Sequence, residues 1–164
     1  MFLKEFDIEG RFIGEKHPPY IIAEMSANHG GKIERAFKII KLAKLCGADA
    51  IKIQVYNPDA LTINSKKKDF IINNHFKWKN KSLYDLYDNA KTPIDWVQKL
   101  MDYAKKTDIT LFASVFDIST IKKLEKLGMP AYKIASFEAN YHELIIECLK
   151  TKKPIIISTG LCSK

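Results

Sequence analysis

The sequence of 164 residues lacks any apolar run that approaches the length of a membrane span, and residues 1–5 lack the apolar core of a signal peptide. We therefore expect a cytoplasmic protein with no membrane partner. Its three cysteines, Cys46, Cys148 and Cys162, are an odd number without the spacing of metal ligands. They indicate reduced thiols rather than a disulfide framework.

Arginine is almost missing, because Arg11 and Arg35 are the only two arginines among 27 basic residues in a chain of formal net charge +8. Proteins that read base edges usually exploit the forked guanidinium, and no recognition helix, zinc finger or RNA-binding signature is visible. The lysines are scattered along predicted helix faces, apart from one run at residues 66–68. We interpret the charge as a solvated surface that can attract anionic substrates, and we expect no nucleic-acid partner.

The sequence is rich in short β-prone runs that alternate with amphipathic helical stretches. Five runs predict strands, at residues 20–26, 50–56, 110–116, 131–136 and 154–159. Apolar residues at helical spacing separate them; in one of these helices Thr92 is the predicted N-cap, before Pro93. Strand and helix in this order predict right-handed βαβ units and a parallel sheet.

Two architectures fit that order, an open doubly wound sheet and a (β/α)₈ barrel. Residues 25–31, after the first strand, do not match G-x-G-x-x-G, which argues against a dinucleotide-binding fold. We predict an α/β fold that is the N-terminal part, about five strands, of a TIM (β/α)₈ barrel. Since five strands cannot close such a barrel, we expect a truncated chain with exposed sheet edges.

Two segments lie outside the βα repeat. Residues 6–13 predict a short hairpin, so we divide the chain into an N-terminal hairpin segment, 1–19, and a partial barrel domain, 20–164, with the hairpin able to cover the N-terminal end of the barrel. Residues 57–91 form a long excursion after the second strand, on the face where barrel enzymes carry their sites. The sequence allows two interpretations of this excursion, a packed helical insertion and a lid or specificity element.

Polar side chains recur near the C-terminal ends of all five predicted strands, although parallel strands buried on both faces normally read as apolar runs. Single residues have structural explanations: Glu24 can pair with Lys52, and Ser158 or Thr159 can cap a helix. Their recurrence predicts a polar pocket at the barrel mouth instead. The residues are Glu24 and Ser26 (on the face of Ile22), Lys52, Gln54, Ser114, Lys133, Ser136, Ser158 and Thr159.

Two lysines and several hydroxyls suit a small ligand that carries phosphate and carboxylate groups. One ion pair at ~4 Å is worth roughly 4 kcal/mol before desolvation at an effective dielectric constant near ~20. One of the lysines could instead be a Schiff-base nucleophile, as in lysine-dependent aldolases. The residue types leave both chemistries open.

Four segments, taken in order, resemble successive signatures of the sialic acid synthase family. The resemblance runs from about residue 20 onward and implies a (β/α)₈ barrel followed by an antifreeze-like domain, in a homodimer. It implies that phosphoenolpyruvate condenses with an open-chain amino sugar whose aldehyde is polarised by a divalent metal, Mn²⁺ or Mg²⁺, with ligands outside this chain. The segments are 23–29 (AEMSANH), 47–54 (GADAIKIQ), 130–138 (PAYKIASFE) and 154–160 (PIIISTG).

The same resemblance implies roles for individual residues. Ser114 stands where these synthases have threonine, and it keeps the hydroxyl. The resemblance makes Glu138 a hydrogen-bonding partner of the acceptor sugar and Glu24 an acidic member of the site. The implied phosphoenolpyruvate ligands are Lys52, Ser114, Lys133, Ser136 and Ser158. The predicted catalytic residues are Glu24, Lys133 and Glu138, and Gln54, Asn28 and His29 complete the substrate-binding set.

Residues 54–65, 69–72, 83–87 and 90–93 resemble the pseudaminic acid branch of the family more than the N-acetylneuraminate branch. That resemblance implies 2,4-diacetamido-2,4,6-trideoxy-L-altrose as the acceptor. The alternatives are an N-acetylneuraminate or legionaminic acid synthase, a Schiff-base aldolase, and a truncated chain that only binds ligand or assembles with a partner.

Overall fold

The structure, a computed structural model, describes residues 5–162. Its two longest helices have 13 residues each, and no helix of the described residues is both long and apolar enough to cross a membrane. The strands are β1 (Glu5–Ile8), β2 (Arg11–Gly14), β3 (Ile22–Glu24), β4 (Ala50–Gln54), β5 (Thr110–Val115), β6 (Tyr132–Ile134) and β7 (Ile155–Ile157). The helices are α1 (Ile33–Leu45), α2 (Leu83–Ala90), α3 (Ile94–Lys106), α4 (Ile118–Lys126) and α5 (His142–Lys150).

The five predicted parallel strands form one sheet in the order β3-β4-β5-β6-β7. Each strand pairs in parallel with the next one along the chain, and α1, α3, α4 and α5 make the crossovers. A doubly wound sheet reverses its strand order at a switch point, whereas a (β/α)₈ barrel never does. The unbroken order therefore confirms the prediction of a partial barrel, in which β3 and β7 are the outer strands of the described sheet.

The helices pack on one face of this sheet because side chains alternate along each strand. In β4, Ile51 and Ile53 are completely buried, while Lys52 and Gln54, which alternate with them, point to the opposite face. Each crossover helix buries its apolar stripe on the sheet, as Val97, Leu100 and Ala104 do in α3. The core thus lies mainly between the helices and the sheet, and the other face carries Lys52 and Gln54 beside the buried ring of Phe112.

The predicted hairpin is present as the antiparallel pair β1–β2. Ile8 at the end of β1 is buried in the same core as the barrel strands. Arg11 in β2 donates from Nε to Oδ1 of Asp49 (3.3 Å), and Oδ2 of Asp49 accepts a hydrogen bond from the backbone N–H of Ile21 (2.7 Å). Because Asp49 immediately precedes β4, the hairpin lies at the N-terminal end of the strands. The division of the chain at residues 19 and 20 stays a prediction.

The prediction for Thr92 was wrong, because Thr92 does not cap α3. Its backbone N–H donates to the carbonyl of Gln54 (2.9 Å), and its hydroxyl is buried without a hydrogen-bond partner among the described residues. Pro93 occupies the cap position, and no side chain there accepts a hydrogen bond. Thr92 is thus held by the end of β4, which keeps its side chain from the helix terminus.

The excursion at residues 57–91 contains two short 3₁₀ turns, Pro58–Ala60 and Lys68–Phe70, followed by α2. Ser82 caps α2, since its Oγ accepts a hydrogen bond from Asp85 N (3.0 Å). The excursion leaves the sheet after Gln54 and returns at Thr92, which is bonded to Gln54. Both of its ends are therefore fixed at the C-terminal end of β4.

We expect Asp49→Ala to lower the free energy of unfolding by about 1–2 kcal/mol, because it removes the charged acceptor of the hydrogen bond from the Ile21 N–H and the tie to Arg11. Urea titration followed by circular dichroism measures the change. Asp102→Ala is the matched control, because Asp102 accepts only an exposed hydrogen bond from Gln98 on its own helix. Equal losses in the two variants would contradict the role given to Asp49.

Candidate functional site

The polar residues of the strands share the sheet face opposite the helices. Parallel pairing sets Glu24 level with Lys52, and one step further it sets Gln54, Ser114 and Lys133 level with one another. Side chains at the same level of paired strands point to the same face. Two adjacent rows of polar groups therefore lie at the C-terminal ends of β3 to β6, as the sequence predicted.

Lys52 is at the centre of the first cluster. Its Nζ forms an ion pair with Oε2 of Glu24 and donates a hydrogen bond to Oγ of Ser114 (3.2 Å). The Lys52 side chain is 14% exposed, whereas that of Glu24 is 41% exposed. The Glu24–Lys52 ion pair, which the sequence analysis gave as a structural explanation for Glu24, is thus present. It compensates the charge of a largely buried ammonium group.

Lys133 forms the second cluster with the residue that follows β7. Its Nζ donates to Oγ of Ser158 (2.6 Å) and to the carbonyl oxygen of Ile134 (2.7 Å). Burial lowers the pKa of Lys133, and the positive charge of Lys52 lowers it further, while Glu138 and Glu24 act in the opposite direction. The two lysines are therefore close enough for their charges to repel.

Glu138 ends a 3₁₀ turn, Ser136–Glu138, directly after β6. Its Oε2 is buried and accepts no hydrogen bond from any described residue. Burial raises the pKa of this carboxyl, and the nearby charge of Lys133 partly offsets the effect. Glu138 thus offers either a vacant acceptor or a proton to a ligand that lies beside Lys133.

Ser136 is exposed at the start of that turn, where the loop after β7 packs against it. Gly160 in that loop has a φ of +56°, and a Cβ built on it would lie 3.0 Å from Cβ of Ser136. Only glycine allows both this backbone conformation and this approach without strain. The contact joins the loop that follows Lys133 to the loop that follows Ser158.

The remaining predicted residues have different surroundings. Gln54 is half-buried on the polar face, and Asn28 is exposed in the loop after β3. His29 is completely buried: its ring packs edge-to-face on Trp96 of α3 (5.5 Å), and its Nδ1 accepts from the N–H of Gly31 (3.1 Å). Burial lowers its pKa. These contacts are those of a packing residue, and the assignments of Asn28 and His29 as substrate ligands stay predictions.

Sequence reasoning missed the backbone groups of the site. The carbonyl of Ile134 accepts from Lys133, and the N–H of Ser26 donates to Oε1 of Glu24 (3.0 Å). Ser26 itself was wrongly placed on the strand face of Ile22. Its φ of +48° takes it out of β3, so that its N–H turns back toward Glu24. No residue type signals such a contact, although the glycines at 30 and 31 mark the loop.

A groove of about 670 Å³ lies at the other end of the strands, between the hairpin, α3 and the end of α1. Its charged side chains are largely paired with one another: Arg11 with Asp49, and Lys44 with Asp108. Because these charges are compensated within the protein, we assign the candidate site to the lysine clusters instead.

No group of three or more His, Cys, Asp and Glu side chains within residues 5–162 is arranged to hold a metal ion. The carboxylates near the lysines, Glu24 and Glu138, belong to two different clusters, and Glu24 is engaged by Lys52. Within the described residues, the two carboxylates of the candidate site thus lie beside lysines and do not share a metal ion.

A non-reversing parallel sheet with lysine and hydroxyl groups at the carboxyl ends of its strands defines part of a barrel with a candidate site for an anion. The model of the NeuB family matches residues 39–164. The chain belongs to the NeuB family.

Relatives with established names agree with this assignment. The chain is 49% identical over 145 residues to the pseudaminic acid synthase of Campylobacter jejuni subsp. jejuni serotype O:23/36 (strain 81-176), covering 88% of this chain and 42% of that protein. It is 42% identical over 146 residues to the pseudaminic acid synthase of Helicobacter pylori (strain ATCC 700392 / 26695), covering 89% and 43%. The chain thus spans less than half the length of these relatives.

Among solved structures, the chain resembles the N-acetylneuraminic acid (sialic acid) synthetase from Leptospira borgpetersenii serovar Hardjo-bovis, crystallised in complex with citrate. The TM-score is 0.82 at 27% sequence identity, and the match covers 97% of this chain and 50% of that one. This agreement extends the partial-barrel fold to nearly all of the sequence.

We expect the pKa of Lys133 to respond in opposite directions to two nearby substitutions. Lys52→Met removes a positive neighbour and raises that pKa, whereas Glu138→Gln removes a negative neighbour and lowers it. NMR titration of ¹³C-dimethylated lysines measures both changes, and the exposed Lys152→Met serves as the control. A shift of the same sign in both variants would refute the proximity of the three groups.

Proposed function

We propose that the protein condenses phosphoenolpyruvate with an amino sugar to give a nonulosonic acid and inorganic phosphate. The proposed acceptor is 2,4-diacetamido-2,4,6-trideoxy-L-altrose, which makes the product pseudaminic acid. The observation that carries the proposal is the pair of lysines, Lys52 and Lys133, that share one face of the sheet with Ser114 and Ser158.

The unmatched charge of Lys133 supports an anionic substrate. Lys52 has Glu24 as an ion-pair partner, but none of the ion pairs within residues 5–162 includes Lys133. A buried ammonium without a carboxylate is costly, and its lowered pKa reflects that cost. A ligand with both phosphate and carboxylate groups would satisfy Lys133 and leave the Lys52–Glu24 pair intact.

Phosphoenolpyruvate carries both groups, and the reaction proceeds in steps that these side chains can assist. Lys52, Lys133 and the hydroxyls of Ser114, Ser136 and Ser158 hold its phosphate and carboxylate. C3 of phosphoenolpyruvate then attacks the aldehyde carbon of the open-chain sugar and forms the new carbon–carbon bond. Water adds at C2, and the tetrahedral intermediate loses phosphate by cleavage of its C–O bond, which leaves the keto acid.

We assign Glu138 to the acceptor sugar, with Gln54, Asn28 and Glu24 near the two substrates. The vacant, buried Oε2 of Glu138 can accept a hydrogen bond from a sugar hydroxyl or amide. The pseudaminic acid branch is supported by 49% and 42% identity to synthases of that name. Identity to the N-acetylneuraminic acid synthetase structure is lower, at 27%.

The family resemblance also implies a divalent metal, Mn²⁺ or Mg²⁺, at the aldehyde oxygen. The described residues do not form a ligand set for such an ion. The roles proposed above for lysine, serine and glutamate side chains therefore do not depend on a metal bound by this chain. We further propose a homodimer in the cytoplasm. The free thiols of Cys46 and Cys162 are exposed, as suits a reducing compartment.

The test is release of phosphate, confirmed by product mass, from the protein as its gene encodes it. With phosphoenolpyruvate, Mn²⁺ and the diacetamido sugar we expect turnover, and with N-acetylmannosamine we expect little. Lys133→Met should lower kcat/KM by about 30-fold or more, because loss of a buried charge contact costs about 2–5 kcal/mol. Lys152→Met, at an exposed turn, is the control.

Turnover with N-acetylmannosamine alone would move the assignment to the N-acetylneuraminate branch. No phosphate release with either sugar would overturn the proposed function. Residues 1–164 alone are assayed in parallel to test whether the described strands are sufficient for activity. If this chain is inactive and a longer protein is active, further residues complete the site.

A second candidate, a Schiff-base aldolase, is favoured by the lowered pKa of Lys133, because a nucleophilic lysine must lose its proton. In that reaction the amine of Lys133 attacks the carbonyl of pyruvate and releases water. The hydrogen bond from Nζ of Lys133 to the Ile134 carbonyl favours the ammonium form of Lys133. The ammonium form can bind phosphate or carboxylate but cannot form a Schiff base, which supports the synthase.

Borohydride reduction in the presence of pyruvate separates the two candidates. We expect no stable adduct on the intact protein by mass spectrometry, since Lys133 serves as a cation in the synthase. A lysine-dependent aldolase treated in parallel confirms that the trapping works. An adduct located on Lys133 by peptide mapping, and lost in Lys133→Met, would favour the aldolase.

A further inference from the structure

The most exposed large apolar side chains of the described residues lie on loops at one end of the sheet. Leu161, Phe137 and Phe76 are 106%, 92% and 86% exposed, respectively. Phe137 follows β6, Leu161 follows β7, and Phe76 belongs to the excursion that follows β4. All three loops stand at the carboxyl ends of the strands, where the lysine clusters lie.

Exposed apolar residues are common singly, so position carries more weight than exposure. Phe137 occupies the middle of the Ser136–Glu138 turn, between a predicted phosphoenolpyruvate ligand and the buried carboxyl of Glu138. The ring is therefore attached directly to the element that faces both proposed substrates. It has almost no packing role of its own, because nearly its whole surface is open to solvent.

Phe76 lies in a loop of the excursion whose ends are bonded to each other. Hydrogen bonds between Ile72 and Lys81 (2.9 Å) and between Asn80 and Ile72 (2.8 Å) close the base of its loop. The helix α2 then leads back to Thr92 beside Gln54. Its eight residues span about 12 Å at 1.5 Å per residue, so one short helix joins the loop to the end of β4.

We propose that Phe137, with Phe76 as a second contact, is a specificity-determining residue that selects acceptor sugars rich in methyl groups. This inference rests on the proposed function. The diacetamido-trideoxy sugar has a methyl group at C6 and two acetamido methyl groups, whereas N-acetylmannosamine has a hydroxymethyl group and one acetamido group. An apolar ring next to Glu138 in the chain would make binding of the diacetamido sugar more favourable by burying its methyl groups. The same ring would leave the extra hydroxyls of N-acetylmannosamine without hydrogen-bond partners.

The test measures kcat/KM for both sugars in the protein as its gene encodes it. Phe137→Ala should reduce the preference for the diacetamido sugar by about tenfold or more, through a higher KM for that sugar, and leave the KM for phosphoenolpyruvate unchanged. Phe76→Ala should act in the same direction with a smaller effect. Phe12→Ala makes the same substitution at the other end of the strands, where Phe12 is 50% exposed, and should leave the preference unchanged.

Phe137→Leu provides a milder variant, for which we expect a preference between those of wild type and Phe137→Ala. An unchanged preference in folded Phe137→Ala, with wild-type turnover intact, would overturn this inference and leave the proposed function standing. A changed oligomeric state with an unchanged preference would identify the ring as a subunit contact and overturn it as well. No turnover by wild type with either sugar would overturn the proposed function and, with it, the inference.

Discussion

Two ammonium groups on the same face of one parallel sheet are the constraint on which the rest of the site depends. Lys52 is near enough to Lys133 to lower the pKa of Lys133, after the larger effect of burial, and both side chains are partly removed from water. Glu24 compensates Lys52 by a direct ion pair. Lys133 has only a hydroxyl and a carbonyl as close partners. No carboxylate within residues 5–162 forms an ion pair with Lys133, which is a physical reason for the site to bind an anionic ligand.

The fold maintains this arrangement because one face of the sheet packs against the helices and the other carries the lysines. Alternation along β4 sends Ile51 and Ile53 under the helices and Lys52 and Gln54 to the other side. The apolar face provides most of the buried surface, so the polar face can carry costly charges without loss of the core. At the N-terminal end, Asp49 joins the hairpin to the start of β4. Stabilising and functional groups are thus separated along the strands as well as across the sheet.

Most of the fold was predictable, since strong periodicities determined it. Five strands, their parallel pairing and the hairpin follow from alternation and spacing, and the polar positions in the strands indicated the site. The errors lie where backbone geometry decides. Thr92 is a good capping residue, but its N–H bonds to Gln54. Ser26 leaves its strand through a positive φ. His29, whose assignment as a substrate ligand stays a prediction, is buried against Trp96 by tertiary packing. Residue type alone carries no information on these three contacts.

The protonation of Lys133 relates the two candidate chemistries to each other. A neutral amine is needed for a Schiff base, whereas a cation is needed to hold phosphate or carboxylate. Burial and Lys52 favour the neutral form in the free protein. An anion bound between the lysines reverses this balance, because a nearby negative charge raises the pKa of an ammonium group. Phosphoenolpyruvate would therefore hold Lys133 in the charged state that binds it. Pyruvate has a carboxylate but no phosphate, so it gives less of that stabilisation, and the charge of phosphoenolpyruvate would favour the synthase chemistry over the aldolase chemistry at this residue.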